Sequence, residues 1–302
     1  MVNSQHIFHN TAFSFKFVAM TIQEAIRYIT NQLKTIYEET EAENISGWLI
    51  EYITGIKKTD RIINKEKPFS PDQKLHLNQY LHRLLLHEPV QYVLNEAWFY
   101  GLKFYVNKNV LIPRPETEEL VEWIISDCKF PIDKLSILDI GSGSGCIPIA
   151  LKKKLAKADV WSCDISQEAL KVANQNATTL GVNVKFEELD FLNEEHRENL
   201  PAFDIIVSNP PYIPEKDKEN MRSNVIDHEP ATALFVPDND ALIFYKAIAD
   251  FGKKHLIKNG IMYMEINESF GNKTSVLFQS KGYRTVLKKD MQGKERMIKA
   301  FF

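Results

Sequence analysis

Cysteine is scarce: the chain has three in 302 residues. Cys128, Cys146 and Cys163 have neither the CxxC spacing of a metal or redox site nor the pattern of a disulfide framework, so reduced thiols in a cytosolic setting are expected. Neither sign of charge dominates. With 37 basic and 40 acidic side chains the formal charge is -3 and the pI about 6.3, which argues against a chain whose main work is neutralising nucleic-acid phosphates. Protein or small-molecule substrates are favoured instead. No stretch reaches the roughly 18 consecutive apolar residues of a membrane span. Lys16 interrupts the apolar stretch from Phe13 to Ala19 and no basic region leads it, so a signal peptide is rejected and residues 1–19 are expected as an extension outside the fold. No repeats, low-complexity tracts or metal-ligand sets are found. What remains, 44% apolar and 25% charged residues, is ordinary for globular protein, and the length suits two domains.

Helical logic begins at Thr21-Ile22-Gln23-Glu24, which has the spacing of a capping box. From there Ile22, Ala25, Ile26, Ile29, Leu33 and Ile36 recur at helical spacing. A second helix is expected over about Glu43 to Ile53. A third starts at Ser70-Pro71, a cap residue followed by proline at the first helical position, and carries Leu75, Leu77, Tyr80, Leu81, Leu84 and Leu85. Residues 20–88 therefore read as a small helical domain. Between Tyr92 and Ile112 the pattern turns β-rich and aromatic, with Gly and Asn turns between Trp98-Phe99-Tyr100, Leu102 to Val106 and Val110-Leu111-Ile112, which predicts a hairpin connector. Pro113 to Glu119 then leads stiffly into a helix over Leu120 to Cys128, with carboxylates where the helix dipole favours them.

The remainder alternates strand and helix. Strands are predicted at about 135–140, 159–164, 183–188, 203–208 and 260–266, and helices at about 146–157, 167–180, 240–257 and 269–280. This is an α/β, doubly wound sheet with helices on both faces. A final pair, Tyr283 to Lys288 and Met297 to Phe302, would form an antiparallel edge.

Chemistry gathers at strand ends. Gly141-Ser142-Gly143-Ser144-Gly145 follows the first strand, and its glycines let backbone N–H groups approach a ligand closely. It serves a nucleoside-type ligand or a structural turn. The spacing is not the dinucleotide GxGxxG, whose third glycine position is Cys146 here. Asp164 ends the second strand, as an acceptor for both hydroxyls of a ribose or as a helix cap. Asp190-Phe191 follows the third, where an aromatic face either stacks on a base or packs in the core. Asp139, Asp164, Asp190 and Asn209 are thus expected to rim one crevice.

After the buried run Phe203 to Ser208 come Asn209-Pro210-Pro211-Tyr212. Two prolines forbid continuation of the strand and force a stiff turn. The Asn209 side-chain oxygen and the Pro210 carbonyl are two acceptors suited to the two hydrogens of a substrate NH2, and Tyr212 offers an aromatic wall. Catalysis here is positioning. A dehydrogenase would leave this tetrapeptide unexplained.

The chain here resembles the HemK/PrmC peptide chain release factor glutamine methyltransferases, over roughly residues 20–302. Asn-Pro-Pro-Tyr alone is shared with adenine-N6 and cytosine-N4 DNA methyltransferases. The narrower likeness is carried by Leu111-Ile112-Pro113-Arg114-Pro115-Glu116-Thr117-Glu118, by Glu88-Pro89-Val90-Gln91-Tyr92, by Ile213-Pro214 and by Glu229-Pro230-Ala231-Thr232-Ala233-Leu234. The resemblance implies a seven-stranded, Rossmann-like methyltransferase domain over 114–302, a helical release-factor-binding domain over 20–88 and a hairpin connector over 89–113. It implies S-adenosylmethionine as cofactor, contacted by Gly141, Ser142, Gly143, Ser144, Gly145, Asp164, Phe191 and Asn209. It implies that Asn209, Pro210, Pro211 and Tyr212 hold the acceptor glutamine, with Asn209, Pro210 and Tyr212 carrying catalysis and Thr117 near the cofactor lid. The substrate would be the Gly-Gly-Gln motif of a class 1 release factor, methylated at the side-chain nitrogen by direct displacement. A nucleic-acid amino-methyltransferase would need a basic recognition surface that the acidic balance does not supply. A non-catalytic cofactor-binding module would not need an acceptor clamp.

Overall fold

The computed structural model describes residues 20–128 and 135–302, so the extension expected over residues 1–19 lies outside the described residues. The chain divides into two compact units at Leu86/His87. In the first, Thr21 and Glu24 close a reciprocal capping box, with Glu24 N donating to Thr21 Oγ1 at 3.2 Å and Thr21 N to Glu24 Oε2 at 2.8 Å. That starts α1 (Ile22–Leu33), which buries Ile22, Ala25, Ile29 and Leu33. Helix α2 (Glu39–Thr54) starts earlier than its apolar pattern predicts and ends at Gly55 in the left-handed conformation. The two helices share a buried hydroxyl link, Thr30 Oγ1 donating to Ser46 Oγ at 2.9 Å and Ser46 Oγ to Ala42 O at 2.6 Å. Helix α3 (Pro71–Leu85) opens with a second capping box between Ser70 and Gln73 and buries Leu77, Leu81 and Leu84. Leu75, expected with them, is exposed.

The second unit begins with α4 (Val90–Leu94) and the hairpin β1 (Ala97–Phe99) and β2 (Leu102–Phe104). Tyr100 and Gly101 both take positive φ, 52° and 74°, as a two-residue hairpin turn requires. Val110-Leu111-Ile112 forms no strand, contrary to the sequence pattern. Its backbone is held by side chains instead: Val110 O accepts from Tyr92 Oη at 2.5 Å and Ile112 N donates to Glu229 Oε2 at 3.2 Å. The apolar residues of this segment enter the core of the second unit, Phe99, Phe104, Val106 and Val110 packing with Leu120 and Ile124.

Helix α5 (Pro115–Asp127) starts at its proline rather than at Leu120. Strand and helix then alternate through β3 (Ser136–Ile140), α6 (Cys146–Lys154), β4 (Asp159–Asp164), α7 (Gln167–Thr179), β5 (Lys185–Glu188), the short α8 (Glu194–Arg197) and β6 (Phe203–Ser208). After a crossing that holds the two-residue strands β7 (Ile213–Pro214) and β8 (Phe235–Val236) and the short α9 (Ser223–Ile226), α10 (Ile243–His255) runs directly into β9 (Leu256–Glu265). Helix α11 (Gly271–Ser280), β10 (Arg284–Lys289) and β11 (Glu295–Phe301) complete the unit.

Seven strands form one sheet in the order β10-β11-β9-β6-β3-β4-β5. β5, β4, β3, β6 and β9 run parallel, and β11 is antiparallel to both its neighbours. The terminal pair is antiparallel as expected, but β11 sits inside the sheet and β10 takes the edge. Strand order is set by tertiary packing and has no local signature. The period-two alternation divides the core by face: Ile137, Ile205, Val207 and Tyr263 pack with α5, α6 and α7, while Leu138, Ile140, Ile206, Met262 and Met264 pack with α10 and α11. All six residues of β6 are buried.

Asn176 on α7 ties the segment after the hairpin to the glycine loop. Buried to 2% exposure, it accepts from Tyr105 N at 2.7 Å and donates to Tyr105 O and Ser144 O, both at 2.9 Å. Asn176→Ala leaves the buried carbonyl of Ser144 and the half-buried backbone of Tyr105 without that partner and should lower the free energy of unfolding by about 3 kcal/mol. Urea denaturation checks this, and a loss below about 1 kcal/mol would contradict it.

Candidate active site

Strand order reverses between β3 and β6, which pair in parallel and end level with each other at Ile140 and Ser208. Their carboxyl ends open a crevice of the kind in which doubly wound sheets bind ligands. The loop after β3 turns sharply, with Gly141, Gly143 and Gly145 at φ of 90°, 50° and 79°. Gly141 N and Ser142 N both donate to Cys163 O, at 2.8 and 3.0 Å. At Gly145 a Cβ would also lie 2.9 Å from Ile149 Cδ1 and 3.3 Å from Ala173 Cα, so conformation and space both demand glycine there.

A cavity of about 410 Å³ lies over these strand ends, within the range of small-molecule sites. Of the residues expected from sequence, Gly141, Ser142, Gly143, Ser144, Asp164, Phe191, Asn209, Pro210 and Pro211 line it. Gly145 and Tyr212 do not: Gly145 packs behind the loop, and Tyr212 is turned onto Glu265. Asp164 lines the cavity and is not the cap of α7, whose N-cap is Ser166. Its Oδ2 accepts from Gly143 N and its Oδ1 from Ser166 N, each at 2.9 Å, so it braces the loop and the start of α7 while lining the cavity. Burial raises its carboxyl above the usual range, against the pull of those backbone donors. Phe191 likewise does two things, lining the cavity while meeting Phe251 edge-on at 5.2 Å between ring centroids.

Asp139 is not on the rim. One residue short of the end of β3, it is fully buried and accepts from Ser162 Oγ at 2.6 Å, which in turn meets Ser142 Oγ at 2.6 Å. Burial pushes its carboxyl up to about 8, with Ser162 opposing the shift and Asp164 adding to it. Asp139 therefore supports the glycine loop from below, while Asp164, Asp190 and Asn209 reach the cavity.

The set of groups fits an adenosyl ligand. Asp164 offers a carboxylate for ribose hydroxyls, Ile165, Leu189 and Phe191 offer apolar faces for a base, and the glycine loop leaves room for close approach of a charged tail. Burial pushes the Cys146 thiol up to about 12, and Cys163 is raised further for the same reason. Both shifts are away from the reactive thiolate.

Asn209 does not stand alone. Its Nδ2 donates to Thr117 Oγ1 at 3.1 Å, Thr117 Oγ1 donates to Glu265 Oε2 at 2.6 Å, and Tyr212 Oη donates to Glu265 Oε1 at 3.0 Å. Glu265 is 1% exposed. Burial raises its carboxyl, while the two hydroxyls and the charge of Arg296 draw it back. Sequence reasoning missed Glu265, although it carries the signal that found the others: an acid closing an apolar strand, here Ile261 to Met264. Another buried acid, Glu229, accepts from Arg114 Nη2 at 2.6 Å and from Ile112 N at 3.2 Å. It joins two of the segments that carry the family likeness, the one around Arg114 and the one that begins at Glu229.

Comparison with known proteins agrees with this geometry. Residues 24–94 match the family described as PrmC N-terminal domain, and residues 120–236 match Methyltransferase small domain. The release factor glutamine methyltransferase of Flavobacterium psychrophilum is 42% identical over 94% of this chain and 100% of its own length. That of Bacteroides thetaiotaomicron is 40% identical over 90% of this chain and 97% of its own. Among solved structures, the hMettl16 catalytic domain in complex with MAT2A 3'UTR hairpin 6 matches 77% of this chain and 81% of its own, with a TM-score of 0.51 and 15% identity, a likeness of fold. Relatives at 42% and 40% identity, matched over nearly their whole length, show that the chain belongs to the release factor glutamine methyltransferases, S-adenosylmethionine-dependent enzymes.

Proposed function

We propose that this protein methylates the side-chain amide nitrogen of the glutamine in the Gly-Gly-Gln motif of class 1 peptide chain release factors, in the cytoplasm. The observation that carries this reading is the orientation of Asn209. Its NH2 end is taken up by Thr117, which leaves its oxygen as an acceptor to act with the carbonyl of Pro210, the next residue in the chain and also in the cavity lining. An amide NH2 brings two hydrogens to such a pair.

S-adenosylmethionine, when bound, supplies the activated methyl group. The chain's own task is to hold the acceptor nitrogen still with its lone pair free. Asn209 and Pro210 engage both hydrogens, and the Pro210-Pro211 backbone adds stiffness, so little freedom is lost at the moment of reaction. A carboxamide nitrogen is a poor nucleophile because its lone pair is shared with the carbonyl. Two acceptors that draw on its hydrogens favour the pyramidal nitrogen of the transition state. The carboxylates lining the cavity are Asp164, which ends β4, and Asp190, which comes after β5; neither lies on the chain after β6. No general base is assigned, and the proton leaves after methyl transfer, when the nitrogen is cationic and acidic.

The domain reading extends to the partner. Residues 20–88 would capture the release factor, and Trp48, Tyr52, Ile62 and Ile63 in that segment are all exposed, giving it apolar surface for a protein contact.

Incubation with S-adenosylmethionine and a class 1 release factor should add one methyl to the Gly-Gly-Gln peptide, read by mass spectrometry. No gain, or methylation of an adenine oligonucleotide in its place, would reject the proposal. Asn209→Ala should lower kcat by about a thousand-fold and leave cofactor affinity within a few-fold, since it removes a group that acts on the acceptor. Asp164→Ala should show the opposite pattern, weakening binding of S-adenosylhomocysteine by about tenfold to a hundredfold in calorimetry. Unchanged affinity would remove Asp164 from the ligand site.

A further inference from the structure

The buried carboxylate at the end of β9 meets both ends of the acceptor turn. Glu265 Oε1 accepts a hydrogen bond from Tyr212 Oη, on the last residue of the turn, and Oε2 accepts one from Thr117 Oγ1, which touches Asn209, the first. Its own carbonyl accepts from Tyr245 Oη at 3.0 Å, so the backbone that carries it is also fixed. Thr117 lies in the first turn of α5 and is 2% exposed.

We propose that Glu265, acting through Thr117, is the positioning residue that sets which end of the Asn209 amide faces the acceptor. The inference rests on the reading of Asn209 as the clamp for a substrate NH2. The reasoning is one of proton count. A carboxylate can only accept, so both hydroxyls that meet it must donate. A hydroxyl has one proton, and Thr117 has spent it on Glu265. What Thr117 presents to Asn209 is therefore a lone pair, and the amide must answer with its NH2 end. The oxygen is then turned the other way. With the amide reversed, Asn209 would present N–H groups to an NH2 and repel it. Asparagine alone has no such preference, because its two ends are nearly equal in shape. A buried charge relayed through one hydroxyl removes the ambiguity.

The same carboxylate fixes Tyr212, so the first and last residues of the turn depend on one side chain from a neighbouring strand. Replacing it by glutamine exchanges one acceptor for a donor. One of the two hydroxyls must then reverse. If that hydroxyl is Thr117, its proton points at Asn209 and the amide flips.

The test uses the full chain with a class 1 release factor as acceptor. Thr117→Val should lower kcat by about a hundred-fold, and Glu265→Gln by up to that amount according to which of the two hydroxyls reverses, with KM for the release factor and Kd for S-adenosylhomocysteine within about threefold of the parent. Thr117→Ser keeps the hydroxyl and should recover at least about tenfold of the Thr117→Val loss. Asn209→Ala combined with Thr117→Val should be no slower than Asn209→Ala alone, because the relay acts through that amide. A role in packing alone would instead make the two losses multiply. Should Glu265→Gln fail to fold, the two Thr117 variants decide the matter. Thr117→Val turning over within about threefold of the parent, Thr117→Ser as slow as Thr117→Val, or multiplied losses in the double variant would overturn the relay. An active Asn209→Ala would overturn the clamp reading itself, and the relay with it.

Discussion

The parallel pairing of β3 with β6 is the constraint on which the rest depends. From β3 the chain builds outward through β4 and β5, and from β6 it builds the other way through β9. Covering helices leave in opposite directions, so the carboxyl ends of these two central strands stay open side by side. Everything with chemical character follows from which residue comes next. After β3 it is a run of glycines that keeps the backbone low. After β6 it is an amide fixed by two prolines. Neither segment would make a site without the other beside it, and the level register of Ile140 with Ser208 brings them together.

Much of this was legible in the sequence wherever the cause is local. The capping box at Thr21, the cap residue and proline that open α3, the glycine turn and the proline stop after Ser208 all act within a few residues of themselves. What escaped depends on distance. Asp139 and Asp164 look alike as acids closing apolar strands, yet one is the penultimate residue of its strand and the other the last. A shift of one position in a pleated strand separates a group under the loop from a group in the cavity. Val110 to Ile112 has β composition, but its backbone partners are a tyrosine 18 residues away and a glutamate 117 residues away. Glu265 finds its hydroxyl partners 148 and 53 residues away. No pattern along the chain encodes such meetings.

Three buried acids serve three ends by different means. Asp139 is shifted towards its neutral form and braces a loop through serines. Glu229 is matched by the guanidinium of Arg114, and its second oxygen holds a backbone N–H, which joins two segments distant in sequence. Glu265 accepts two hydroxyls and has Arg296 near enough to draw its pKa down. Removing one partner from such a group leaves an uncompensated polar atom in the interior, so each acid fixes its neighbours more firmly than an apolar residue of the same size would.

The place of β11 in the sheet bears on how the protein is made. β10 pairs with β11 and not with β9, so when β10 emerges during synthesis it has no strand to join. Until residues 295–301 follow, the nascent sheet ends at β9, whose unpaired backbone N–H and C=O groups are a template for wrong pairing. A chain shortened by those seven residues would lose two strands rather than one.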